Sequence, residues 1–424
     1  MIQPNINRRA LLLGAAGLGL SACATGPFPS DSAAQLPQTQ AVLDRWTGEG
    51  IIPGVSVGVR VPDGDEVFLQ AGHTDFGAAR AVDADSLFRI YSMTKPITGA
   101  AAALLIEDGR LGLDQPVSDL IPEFSNLTVA IDPTTGLEAR PVTRPMTVRH
   151  LLTHTSGLTY TITGDNAVQQ VYRRAGIFPF TGHLVPAEID GPRVRNLDEM
   201  AARLADIPLM AEPGSAYNYS ISLDVLGLVI QRASGMAFPT FVQQRLFDPI
   251  GMDDTVWRLR PGDADRLVQV YGFDPETRAR LGVVPGVGAA DFSSEVTLYA
   301  GGAGLISSSR DYLAFLSTLL DDGRARSRTI MRPETARLIR SDILASEIQA
   351  WGSGHGFGGW VARPGHRRQG EFGWSGAAGT QGWIDPERNF AATMMIQVFP
   401  FQAVPIIAEV RAAIDADLGI TRPA

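Results

Sequence analysis

The chain of 424 residues contains one cysteine, Cys23, and one lysine, Lys95; its other 35 basic residues are all arginine. A single cysteine excludes an internal disulfide, so the fold forms without a covalent cross-link. Acidic residues outnumber basic ones by 45 to 36, a net charge of −9, and without residues 1 to 22, which carry only Arg8 and Arg9, it becomes −11. That balance argues against a phosphate-binding surface, and no nucleic-acid partner is expected. Long apolar runs are missing too: Leu13 to Leu20 is too short to span a bilayer, and no other segment is apolar for long enough to cross one. With 45% hydrophobic and 19% charged residues, one large domain carrying an inserted subdomain, or two domains, is expected.

The amino terminus reads as an address. Asn7-Arg8-Arg9-Ala10-Leu11-Leu12 leads through the apolar stretch to Leu20-Ser21-Ala22-Cys23. This resembles a bacterial lipoprotein signal, removed as residues 1–22 and leaving Cys23 to be acylated, while the arginine pair resembles a twin-arginine export signal. Residues 23–37, rich in Ser, Pro, Ala and Thr, are expected to be a flexible tether between a lipid-anchored Cys23 and the domain. The expected location is the periplasmic face of a membrane.

A chain that uses arginine almost everywhere keeps lysine where a guanidinium cannot serve, and an amine can lose and regain a proton when desolvated. Lys95 stands three residues after Ser92 in Arg89-Ile90-Tyr91-Ser92-Met93-Thr94-Lys95-Pro96. Ahead lies the extended pattern Leu87–Tyr91, and behind it the apolar run Ile97–Ile106 predicts a buried helix closed at Asp108-Gly109. Ser92 and Lys95 then share a face at the helix start, where Pro96 is tolerated because the first N–H groups have no helical partner.

Two other motifs mislead. Residues 54–58 spell Gly-x-Ser-x-Gly around Ser56, but the strand pattern continues to Val61 where a nucleophile elbow needs a helix. His150 and His154 are four apart without the glutamate of a zinc-protease helix, so a structural role is expected and no metal site. No cofactor is implied, and nothing in the chain fixes an oligomeric state.

Strand patterns at 54–61 and 66–70 form a hairpin turning at Pro62-Asp63-Gly64, and they return at 301–306, 356–361, 371–374, 380–384 and 390–397. Helices are expected at 223–233, 310–320 and 403–418. Strands joined by short turns imply an antiparallel sheet. The expected fold class is α/β (α+β): an antiparallel sheet flanked by helices, from residues 38–140 and 281–420, with an inserted mainly helical region at 141–280.

The motifs Ser92-Met93-Thr94-Lys95, Leu151–Leu158, Pro213–Ser220, Gly301–Leu305 and Gly373–Thr380, in that order, resemble the serine β-lactamase and penicillin-binding-protein superfamily. Within it the class C β-lactamases and family VIII carboxylesterases are nearest, over residues 38 to 418. The resemblance implies the β-lactamase/transpeptidase-like fold and an acyl-enzyme on Ser92, with Lys95 and Tyr219 as proton-transfer groups; which of the two is the base stays open. It implies an oxyanion hole from the backbone N–H groups of Ser92 and Ala377, and substrate binding by Trp374, Ser375, Gly376 and Tyr91. Tyr217 is assigned to packing. Ile221 stands where lactamases carry an asparagine, and Trp374 replaces their lysine or histidine. Both departures remove polar recognition of a β-lactam, and an indole suits an uncharged acyl or alcohol group. Ester hydrolysis is therefore favoured, with small-molecule ester or amide substrates. The alternatives are β-lactam or D-alanyl peptide hydrolysis, acyl transfer to an alcohol or amine, and a non-catalytic wall-binding lipoprotein.

Overall fold

Val55, Val57 and Val59 alternate with Ser56, Gly58 and Arg60 along β1 (Gly54–Arg60), and all seven residues are buried, as expected of a central strand covered on both faces. The computed structural model describes residues 31–178 and 191–423. The leader 1–22, Cys23 and residues 24–30 of the expected tether lie outside the described residues. β1 pairs with β2 (Glu66–Gly72) through the hairpin, and on its other edge with a carboxy-terminal strand. The other strands of this sheet are β3 (Gly354–His355), β4 (Trp360–Val361), β5 (Phe372–Ser375), β6 (Gln381–Asp385) and β7 (Phe390–Met395). Their order is β3-β4-β5-β6-β7-β1-β2, every pair antiparallel.

Each face has its own helices. On one, α1 (Pro37–Gly48) and α5 (Ile406–Asp417) close a core of Leu43, Trp46, Val55, Val57, Val59, Trp383, Val410 and Ile414. On the other, α4 (Ser309–Leu320) lies against β1 and β7. Gly58 permits that approach, since a Cβ there would stand 3.0 Å from Thr393 Oγ1 and 3.1 Å from Ser309 Oγ, two hydroxyls bonded to each other at 2.8 Å. Against β5 runs α2 (Thr94–Glu107), buried from Thr94 to Leu105. A helix apolar on every side belongs in an interior. Ile97, Leu104 and Leu105 each contribute about 1.5–3 kcal/mol through burial.

The helical region extends from Val148 to Ile250 around α3 (Ser222–Ser234), which packs on α2. Two boundaries differ from expectation. The segment expected to stay helical to residue 280 contains the strand Tyr271–Phe273, which pairs with Arg280–Val283 and, in parallel, with Val398–Phe399. Three residues are too few to carry a period, and their pairing is non-local. The expected tether is helical from Asp31 to Gln35, and Leu36 is buried against the domain. One apolar residue in a Ser/Pro/Ala segment sufficed to dock it. Among the described residues no single helix is long and apolar enough to cross a membrane.

Candidate active site

Ser92 occupies the 3₁₀ turn Tyr91–Met93, which feeds directly into α2. Tyr91 has φ +41°, a left-handed conformation that costs a non-glycine residue about 1–3 kcal/mol and persists only where the surroundings over-determine it. They do so here: Ile90 N–H donates to Leu305 O at 3.1 Å, Met93 N–H to Ile90 O at 2.9 Å, and Tyr312 OH to Met93 O at 2.9 Å. The Tyr91 side chain is itself 1% exposed and packed in the core. It does not line the cleft, so its expected substrate contact is corrected to a structural role: the strained turn presents Ser92 by turning Tyr91 inward.

Lys95 has no exposed surface. Its Nζ lies 3.2 Å from Ser92 Oγ, 3.2 Å from Tyr160 OH and 2.8 Å from Gly302 O. Three acceptors match the three hydrogens of an ammonium, and a carbonyl can only accept. Tyr219 OH donates to Ser92 Oγ at 2.7 Å, and the Lys95 Nζ sits 4.6 Å from the centroid of the same phenol ring. Ser92 Oγ is thus flanked by phenol and ammonium.

Tyr219 lies in the loop leading to α3, and His154 fixes it from both sides. Asn218 N–H donates to His154 O at 2.8 Å and Ser220 N–H to His154 Nδ1 at 3.2 Å. Accepting from Ser220 requires an unprotonated Nδ1, and burial, then His355 and Lys95, push this imidazole well below its ordinary pKa. His150, by contrast, caps the helix Val148–Leu152 by accepting Thr147 N–H at 3.1 Å. Among the described residues no three His, Cys, Asp or Glu side chains form a metal-sized group. Tyr217 packs against His355 and Trp351.

Two partners of Lys95 escaped the sequence reading. Asp224, fully buried in α3, accepts Gly302 N–H at 2.9 Å and the Tyr160 hydroxyl at 3.4 Å. Burial is the main cause that raises its carboxyl to about 6, with Lys95 pulling the other way. Burial first, and the Asp224 charge second, push the Tyr160 phenol well above its usual value, so it stays a neutral donor. A lone acid inside Leu223–Ile230, in a chain with one lysine, was the available signal, because a buried cation needs a counter-charge.

The third wall is β5 and the turn after it. A Cβ on Gly376 would come within 2.5 Å of Ile90 O and 2.1 Å of Thr380 Oγ1. The expected reason for this glycine, close approach of substrate, is therefore replaced by close approach of the serine turn itself. The N–H groups of Ser92 and Ala377 have no acceptor among the described residues, whereas Gly376 N–H donates to Thr380 O at 2.7 Å. Ser375 Oγ is taken by Gln381 Nε2 at 3.0 Å, yet Ser375 still borders the cleft.

The cleft has a volume of 660 Å³ and is bordered by Ser92, Tyr219, Trp374, Gly376, Ala377 and Trp351. Trp351, also missed from sequence, is 70% exposed and stacks on Trp374 at 5.9 Å and 28°. Its ring lies 5.5 Å from Tyr219, giving the mouth an aromatic wall. Ile221, where an asparagine would face a β-lactam, is buried at 1% exposure.

The Beta-lactamase family model matches residues 39–416, and the chain belongs to that family. Esterase EstB of Burkholderia gladioli is 33% identical over 347 residues, covering 78% of this chain and 80% of EstB. Protein Rv1367c of Mycobacterium tuberculosis is 32% identical over 362 residues, 80% of this chain and 84% of that protein. Among solved structures, EstCE1, described as a hydrolase with promiscuous acyltransferase activity, superposes with a TM-score of 0.75 at 26% identity, covering 91% of this chain and 99% of EstCE1.

Proposed function

We propose that the protein is a serine hydrolase that cleaves carboxylic esters through an acyl-enzyme on Ser92. The observation that carries this reading is Ser92 Oγ held at 2.7 Å by the Tyr219 phenol and at 3.2 Å by the Lys95 ammonium, in a cleft whose rim is indole. Lys95 already donates to three acceptors, so it acts as a fixed cation; Tyr219 reacts as the phenolate, its own proton having passed to solvent, and in that form the Ser92 hydroxyl donates to it and gives up its proton. Oγ adds to the ester carbonyl, whose developing charge is met by the N–H groups of Ser92 and Ala377. The alcohol leaves with the proton returned by Tyr219, and water then repeats the sequence to free the acid. Relatedness to EstB supports ester substrates, and the buried Ile221 together with Trp374 leaves a β-lactam without its usual polar partners. Intact-mass detection of an acyl group on Ser92 during turnover of a short-chain nitrophenyl ester tests the reading; an ester that is inert while a chromogenic cephalosporin is consumed overturns it.

The likeness to EstCE1 favours one extension, transfer of the acyl group to an added alcohol in place of water. The same acyl-enzyme serves both outcomes, and product analysis with and without acceptor separates them.

Asp224 makes the site pH-dependent. Its carboxylate orients Gly302 and Tyr160, both partners of the ammonium, and it takes up a proton near pH 6. The kcat/KM profile is expected to show an acid limb with its midpoint near 6 that is absent in Asp224→Asn. Acid unfolding is not its origin: a carboxyl raised in the folded state stabilises the fold below the unfolded value of 3.8 and loses that contribution as pH rises through about 6. The buried imidazoles titrate lower, His355 at about 4. An unchanged limb in Asp224→Asn would remove the assignment.

Export and lipid attachment belong to the same proposal, supported by Arg8-Arg9, the run Leu13–Leu20 and Ser21-Ala22-Cys23. Labelled palmitate supplied to expressing cells is expected to enter the protein and to be lost in Cys23→Ser; equal label in both would refute anchoring there.

A further inference from the structure

The same cleft is also lined by Trp360, His366, Arg368, Phe401, Gln402 and Arg411, which together make up its second lobe. In a chain with nine more acidic than basic residues, not one aspartate or glutamate borders this cleft, and both charged residues that do are arginines. Their counter-ions lie behind them. Glu371, with no exposed side-chain surface, accepts from Arg368, Arg411 and Arg422, and Arg368 also donates to Asp415 at 3.0 Å. Arg422 is also paired with Asp415 and Asp385, so every carboxylate of this cluster stands behind the arginines and none faces the opening.

Arg411 is the better placed of the two. Its guanidinium lies 4.1 Å from the centroid of the Trp383 ring, which fixes its plane, and its side chain keeps 12% exposure. Only one nitrogen, Nη2, donates to Glu371; Nε and Nη1 have no acceptor among the described residues. A planar, pre-oriented fork with free donors at the end of a lobe walled by Trp360 and Phe401 suits a carboxylate on an apolar stem.

Building on the ester-hydrolase reading above, we infer that this lobe binds a carboxylate carried by the ester substrate, so that monoesters of dicarboxylic acids, or esters of hydroxy acids, are preferred to neutral esters. The cation that Trp374 displaced from the edge strand is then supplied from α5, at a different end of the substrate.

The test is a matched panel: nitrophenyl monoesters of dicarboxylic acids against their methyl-capped isosteres, and acetylated hydroxy acids against their methyl esters. The wild-type enzyme is expected to favour the free carboxylate by about 10- to 100-fold in kcat/KM in one of the two pairs, mainly through KM. Raising ionic strength should shrink that ratio. Arg411→Gln is expected to bring the ratio close to one, and Arg411→Lys to restore part of it. The wild-type ratios stand on their own should the Gln variant, which removes a partner of buried Glu371, fail to fold. Ser92-dependent turnover with no carboxylate preference in either pair overturns the subsite and leaves the ester reading intact. No turnover of any ester removes both.

Discussion

Ser92→Ala is expected to lower kcat/KM for a short-chain nitrophenyl ester by about 10⁵- to 10⁶-fold, the size of effect seen when the nucleophile of an acyl-enzyme mechanism is removed. The expected loss is this large because the flanking groups have no alternative target. Tyr219 and Lys95 both address one oxygen, at 2.7 and 3.2 Å, and without it neither has an acyl acceptor to activate. The fold should survive, since the strained turn is held by backbone contacts of Ile90 and Met93 and by Tyr312, none of which uses the serine hydroxyl. Thermal midpoints of variant and wild type within a few degrees would separate lost chemistry from lost structure. Retention of a tenth of the activity would move the nucleophile elsewhere and end the account of this cleft. The Gly-x-Ser-x-Gly decoy offers no substitute, because Ser56 lies in mid-strand with no exposed surface.

What could be read from the chain divides by the range of the interaction. Ser92 and Lys95 are three residues apart at the start of a helix, so their meeting is a local consequence of helical geometry, and the lone lysine marked the position. The hairpin of β1 and β2 was equally local, its register set by a turn at Gly64. Tyr219 is 127 residues from Ser92, and no periodicity links them; only the ordered motifs of the family did. Tyr160 lies 65 residues from Lys95 in a segment without a pattern, and Gly302, 207 residues away, was marked only as part of a motif with no link to the lysine, so the cage around the ammonium became visible only in three dimensions. Tyr91 failed for a different reason. Adjacency to a nucleophile in sequence says nothing about side-chain direction once the backbone turns left-handed, and here it sends the phenol into the core. Trp351 lies in a glycine- and serine-containing loop where exposure cannot be inferred from composition.

Lys95→Arg is expected to cost about 10³-fold in kcat/KM although it conserves charge, and it distinguishes a positive field from an ammonium of defined geometry. The three acceptors at 3.2, 3.2 and 2.8 Å surround a point donor with no exposed surface. A guanidinium is planar and larger; to donate to Gly302 O it must displace either Tyr160 or the serine turn, and its hydrogens cannot converge on all three oxygens at once. Displacement of Tyr160 would also disturb Asp224, whose buried carboxylate then loses a hydrogen-bond donor, and leaving a buried polar charge short of partners destabilises the fold. Part of the loss should therefore appear as a lower thermal midpoint, and Asp224→Asn in the same chain should recover that midpoint without recovering turnover. If the arginine variant keeps a tenth or more of the wild-type rate, positive charge alone suffices beside Tyr219, and the fixed-ammonium role assigned to this residue falls.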